Sequence, residues 1–402
     1  MSEAELTSEE LERTLRKLLS YCRANDWAGY DPYDALNSKM FEVVPLLNNK
    51  AVRLVLTQAL KRSPFNCRSV LLVPKTRNPK AIGLFLSSLL KLASLAVPRE
   101  ECIRMIDVLI ALRSRDTPYY CWGYSFPWQT RTQVVPSGAP NLVCTTFAAN
   151  ALLDAYQELG DTRLLEIAVS ASEFFIERLF WTDATSVASF SYPLPFVRSR
   201  CHNANFLAAA LLCRVYRYTG QRRFLEIALR VATYSASRQR ADGSWLYGEL
   251  PKQDWIDHFH TGYNLCALQC IARDASTSEF DRHMERGFSF YRDHFFREDG
   301  APKYFHNWTY PIDIHCVAQA IITLMAYRNF DPRAGHLATR VFRWAINNLW
   351  DDRGFFYYRA LRLCTIRTSY MRWSQAWMLF ALANLYANSS VAARVGSIEA
   401  FA

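Results

Sequence analysis

Gly160-Asp-Thr-Arg-Leu-Leu-Glu-Ile-Ala168 and Gly220-Gln-Arg-Arg-Phe-Leu-Glu-Ile-Ala228 align without gaps. Each follows an apolar run and opens an amphipathic one. A glycine at such a junction suits the left-handed cap that ends a helix. The pair therefore marks an internal repeat of two helices, and repeats of this length signal a stacked or ringed helical architecture. A second recurring signal closes the amphipathic runs: Gln239-Arg-Ala-Asp-Gly-Ser-Trp245, Arg297-Glu-Asp-Gly-Ala-Pro-Lys303 and Asp351-Asp-Arg-Gly-Phe-Phe356. Each is a glycine turn followed by a few residues with extended or aromatic character.

Working outward from these junctions, six apolar helices are predicted to start near Ala81, Thr145, Asn203, Thr261, His315 and Arg372, the last five spaced by 54 to 58 residues. They are apolar nearly all round, as helices covered on every side must be. Amphipathic helices are predicted near 99–114, 162–180, 222–238, 279–296 and 334–350. The sixth is at the N-terminus, with Thr7 as cap, Glu10 answering it, and Leu6 with Leu11 as a staple. Leu11, Leu15, Leu18 and Leu19 then mark one apolar face. This helix would pack beside the last inner one and close the ring. The expected fold is all-α: an (α/α)6 toroid of six inner and six outer helices, in one domain over residues 1–402 with an ordered core of about 7–388. An open solenoid is the alternative, and the lone first helix argues for closure.

The 402 residues are 50% hydrophobic and 21% charged, ample for a large core. The acidic, polar start is unlike a secretory leader. No apolar run is long enough to span a bilayer, which takes about 20 residues. The 11 cysteines sit mostly in apolar runs without metal-ligand spacing, which fits free thiols in the cytoplasm and gives no metal or cofactor. The net charge of +10 admits nucleic acid, anionic lipid or an acidic substrate. The basic residues are scattered with no basic block, so nucleic acid is not expected.

Candidate chemistry gathers where the inner helices begin. Asp254–Tyr263 holds two carboxylates, two imidazoles and three aromatics in ten residues. His202-Asn203, His258, His260 and Asp313-Ile-His315 stand at three successive starts. Asp, Asn and Thr commonly cap helices; histidine is not needed for that. Histidine moves protons near neutrality. A glycosidase needs two carboxyl groups about 5–9.5 Å apart across the bond. Asp257 with Asp31 or Asp34 is the expected pair, with His260, His315 and Asp313 beside them. His202, Asn203, His258 and Tyr263 would bind hydroxyls. Two aromatic loops should cover the same rim and stack on sugar rings, through Trp122, Tyr124 and Trp128. Arg131, Arg367, Arg372, Trp373 and Gln375 complete the binding set, the arginines meeting a carboxylate or phosphate. A glycoside hydrolase is the preferred reading, with epimerisation, elimination and binding without catalysis as the alternatives.

The whole chain resembles the six-hairpin toroid superfamily, with its glycoside hydrolases, unsaturated glucuronyl hydrolases and 2-epimerases. Gly29-Tyr-Asp-Pro-Tyr-Asp-Ala-Leu-Asn-Ser38, Lys61-Arg-Ser-Pro64, Asn78-Pro-Lys80 and Asp257-His-Phe-His-Thr-Gly-Tyr-Asn264 resemble polysaccharide-biosynthesis proteins of the VpsJ type. That likeness implies a role in exopolysaccharide or cell-surface glycan production, on an anionic sugar chain or its precursor. It leaves room for association with a membrane-bound biosynthetic complex. Arg372-Trp-Ser-Gln-Ala-Trp377 is similar to the Trp-x-x-Gln-Ala stretch of the 2-epimerases, which use histidines as acid and base; Trp377 stands where those carry Glu. Gln239–Trp245 resembles the triterpene-cyclase repeat, but the Asp-rich motif of those enzymes is absent.

Overall fold

A computed structural model describes residues 8–399 except 45, 47, 131 and 132; the side chains of 8, 42 and 389–399 lie outside it. Leu6, Thr7 and Arg131 fall outside the described residues, as do the side chains of the tail expected to fray after Asn388.

The chain begins with α1 (Ser8–Ala24). Five helix pairs follow: α2 (Pro79–Lys91) with α3 (Arg99–Ala111), α4 (Leu142–Leu159) with α5 (Thr162–Phe174), and α6 (His202–Thr219) with α7 (Arg222–Ala236). Then come α8 (His258–Asp274) with α9 (Asp281–His294), α10 (Ile314–Ala326) with α11 (Arg333–Leu349), and finally α12 (Trp377–Glu399). The inner helices touch in the order α2, α4, α6, α8, α10, α12, and α12 returns to α2. The ring is closed, and α1 packs on α12 from outside. This is the (α/α)6 toroid.

The local signals work as physical chemistry requires. Gly160 and Gly220 end α4 and α6 at φ 72° and 68°, which a Cβ would strain. Asn78, Asn141, Asp257 and Asp313 cap inner helices with side-chain oxygens. One hydrophobic cluster includes side chains of all twelve helices, from Leu11 to Leu385.

Two features depart from the expected pattern. The stretch between α1 and α2 folds into an excursion with its own helices, Met40–Val43 and Lys50–Arg62. The last inner helix is preceded by a wide turn at Met371–Ala376. Such widened turns push side chains off the helical register and recur at functional sites. Closure is tied at the backbone as well, by a parallel bridge between Tyr30 and Tyr370.

Candidate functional site

The inner-helix starts and their connecting loops enclose a cavity of about 470 Å³, within the range of small-molecule sites. Ten of its 25 lining residues are aromatic, enough to offer flat apolar faces on several sides. Tyr33, Tyr124, Trp128, Tyr247, Trp255 and Trp373 are among them.

The wall formed by α8 carries a histidine held by a carboxylate. Asp257 caps the helix, accepting the His260 backbone N–H at 3.0 Å. Its second oxygen accepts Trp255 Nε1–H at 2.9 Å and meets His260 Nδ1 at 2.7 Å. A carboxylate can only accept, so Nδ1 carries the hydrogen, and in the neutral ring the lone pair is on Nε2. His260 lines the cavity, whereas Asp257 stands behind it, facing a narrow cleft with Asn203, Tyr247 and Trp255.

The neighbouring wall comes from α10. His315 Nε2 lies 2.6 Å from the Tyr263 hydroxyl, and its Nδ1 is buried with no hydrogen-bond partner among the described residues. Trp373 and Trp377 flank the ring at 4.4 and 4.5 Å. Burial first, then the charges of Lys80 and Arg372, hold its pKa well below the usual histidine range, so the ring is neutral.

Three basic side chains, Lys80, Lys252 and Arg372, line the same cavity. Arg372 makes a buried fork with Asp31, at 2.6 and 2.8 Å, and its guanidinium lies 5.0 Å from the Tyr124 ring centre. Lys80, the second residue of α2, is buried, and its ammonium sits 4.2 Å from Phe147, 5.0 Å from Trp377 and 5.5 Å from Tyr263. Burial and then Arg372 push its pKa well down. No salt bridge to Lys80 forms among the described residues.

The structure brings together Tyr124, Trp128, Asn203, His260, Tyr263, His315, Arg372 and Trp373. The expected carboxylate pair does not face across the cavity. Asp31 is bound by Arg372, and Asp34 by Arg68 at 2.7 Å with burial raising its pKa to about 6. Asp313 caps α10 and accepts from Arg359 and Trp373, at 2.7 and 2.8 Å. No Asp or Glu lines the cavity among the described residues. Buried carboxylates demand cationic or N–H partners, and those partners draw them behind the wall.

Five other expected binders also lie elsewhere. His202 points toward Ser235 and Glu249, and His258 packs under Tyr291. Trp122 donates to the Leu109 carbonyl in the core. Gln375 clasps the Phe356 backbone at both its N–H and C=O. Arg367 lies over Tyr357. Lys80 is the lining residue with the strongest chemistry that the sequence reading did not place there; its signal was its position beside the Asn78 cap, on the same rung as the histidines.

No family model and no curated protein matches the sequence. Solved structures do. An unsaturated glucuronyl hydrolase specific for heparin is 12% identical, over 96% of this chain and 99% of that one, with a TM-score of 0.64. A cellobiose 2-epimerase from Bacillus thermoamylovorans is 10% identical, over 79% and 90%, with a TM-score of 0.62. A polysaccharide lyase is 10% identical, over 95% and 98%, with a TM-score of 0.60. At such identities the likeness speaks for the fold alone, the (α/α)6 toroid.

Proposed function

We propose that the cavity belongs to a carbohydrate-active enzyme that moves protons with histidines. His260, oriented by Asp257, acts as the base through Nε2. His315, bridged to Tyr263, serves the opposite proton or a ring hydroxyl. The observation that carries this reading is the lining itself: two histidines, two lysines and an arginine among aromatics, with no carboxylate among the described residues. That set suits proton abstraction next to a carbonyl or carboxylate, as in epimerisation or elimination. It suits two-carboxylate glycoside hydrolysis less.

An anionic sugar chain or precursor is the substrate class we favour. Arg372, Lys252 and Lys80 line the cavity; Asp31 compensates Arg372, and an anionic ligand would favour the charged form of Lys80 that burial disfavours. The motif likeness to VpsJ-type proteins supports a place in exopolysaccharide or cell-surface glycan production. Free cysteines throughout the described chain agree with a cytoplasmic setting. Binding without turnover, within a biosynthetic complex, is the second reading; the aromatic lining favours it, because stacking needs no proton transfer.

The test is to incubate the protein and its His260→Gln variant with acidic oligosaccharides and their reducing sugars in heavy water. We expect deuterium beside the carbonyl, or a new C=C absorbance. The variant should be slower by about 100-fold or more with binding retained. Product without either signature would establish hydrolysis and remove the histidine mechanism. Equal turnover by the variant would remove His260 from it. Binding with no product from either protein would favour the second reading.

A further inference from the structure

Between α1 and α2 the surface changes character. Seven of the fourteen large apolar side chains exposed among the described residues lie between Val43 and Leu72. Leu46 is 89% exposed, Val70 80% and Phe65 75%. The excursion is nonetheless anchored. Leu60 and Val73 are buried, Ser38 donates to the Leu71 carbonyl, and the Leu72 carbonyl accepts Lys39 N–H. The apolar tips are therefore presented by folded chain. On the helix Lys50–Arg62, exposed Ala51, Val55, Gln58, Ala59 and Arg62 recur every three or four residues and so share one face.

The charge on this stretch is one-sided. From 35 to 98 the sequence has ten Lys and Arg, and Glu42 is its one acidic residue. Lys39, Lys50, Arg62 and Lys75 are exposed in or beside the apolar cluster. Protein interfaces tend to lose lysine from their centres and gain aromatics. Aliphatic tips interleaved with lysines suit a different partner, where apolar groups enter the acyl boundary and cations meet lipid phosphates. No helix among the described residues is long and apolar enough to cross a membrane, so contact at this patch would be peripheral.

We propose that the excursion of residues 39–75 docks the protein on an anionic lipid bilayer. Lys61 donates to the Tyr33 hydroxyl at 2.7 Å, and Arg53 donates to Gln129 at 3.0 Å. Tyr33 and Trp128, the neighbour of Gln129, both line the cavity. The helix that carries the patch thus packs beside the cavity wall through Arg53 and Lys61, with its exposed face turned away from them.

The experiment is co-sedimentation of the whole chain with vesicles of phosphatidylcholine, with and without about 30% phosphatidylglycerol. The variants are Leu46→Ser/Phe65→Ser/Val70→Ser and Lys50→Glu/Arg62→Glu, with circular dichroism to verify their fold. Exposed substitutions of this kind leave the core untouched. We expect binding to anionic vesicles roughly 10-fold above neutral ones, weakened in about 0.5 M salt, and a comparable drop for each variant. Equal binding to neutral vesicles, or none to anionic ones, overturns the proposal. Self-association or capture of a protein, abolished by the apolar variant while vesicles go unbound, assigns the face to a protein partner and overturns it too.

Discussion

Asp257 does two jobs with one carboxylate, and substitutions can separate them. As a cap it satisfies the first turn of α8; as a neighbour it fixes the His260 tautomer. Asn caps helices as well as Asp does. Asp257→Asn should therefore keep the unfolding midpoint and lower kcat more than KM, while Asp257→Ala should also lose about 1 kcal/mol of stability. Urea unfolding beside steady-state kinetics checks both. The buried histidines off the cavity make a pH prediction. Burial lowers the His202 pKa to about 4 and the His258 pKa to about 3. Below the ordinary value of about 6.5 the unfolded chain takes up protons that the folded one refuses. Stability therefore falls as pH drops from about 6.5 toward 4, by up to about 1.4 kcal/mol per pH unit for each group. Denaturant midpoints across that range test the sign, and His202→Gln should flatten the slope. Residue types and positions sufficed to place His260, His315, Tyr263 and Arg372. They did not suffice for Asp31 and Asp34, because their arginine partners lie 341 and 34 residues away in sequence.

Elements decide what the cavity sees. The loop carrying Tyr124, Phe126 and Trp128 is pinned at Gly123, where an added Cβ would fall 2.1 Å from the Ala139 carbonyl oxygen. Backbone cannot give way as a flexible side chain can. Gly123→Ala should displace the loop, costing about 1–3 kcal/mol and weakening whatever ligand affinity the cavity has; calorimetric melting and a binding titration read the two effects. The helices themselves were visible in the sequence because their junctions are local chemistry: glycine ends, Asn and Asp caps, apolar periodicity. Direction into the cavity was less visible. His202 and His260 both stand at inner-helix starts, at the first and third positions of α6 and α8. On a helix those positions differ by about 200° of rotation, enough to turn one ring toward Ser235 and the other into the cavity.

At the scale of the molecule, α1 backs the last inner helix from outside the closed ring. Leu15 and Leu18 are almost fully buried on its inner face. Leu15→Ala should cost about 2–5 kcal/mol. If closure supports the site, ligand affinity should fall with it, although neither leucine lines the cavity; differential scanning calorimetry and titration of the same variant would show whether the losses travel together. Closure was legible from the count of helices, since a lone first helix needs a partner and only the last could supply one. The cavity floor was not, because it forms from both ends of the chain at once. Arg372 and Asp31 meet across 341 residues, and Tyr30 pairs with Tyr370. Contacts so distant in sequence are the slowest to form. A nascent chain emerging from the ribosome can stack its middle hairpins early, but it owns no finished site until the final inner helix is free. Incomplete products of translation thus lack the finished cavity, whatever share of the ring they have already stacked.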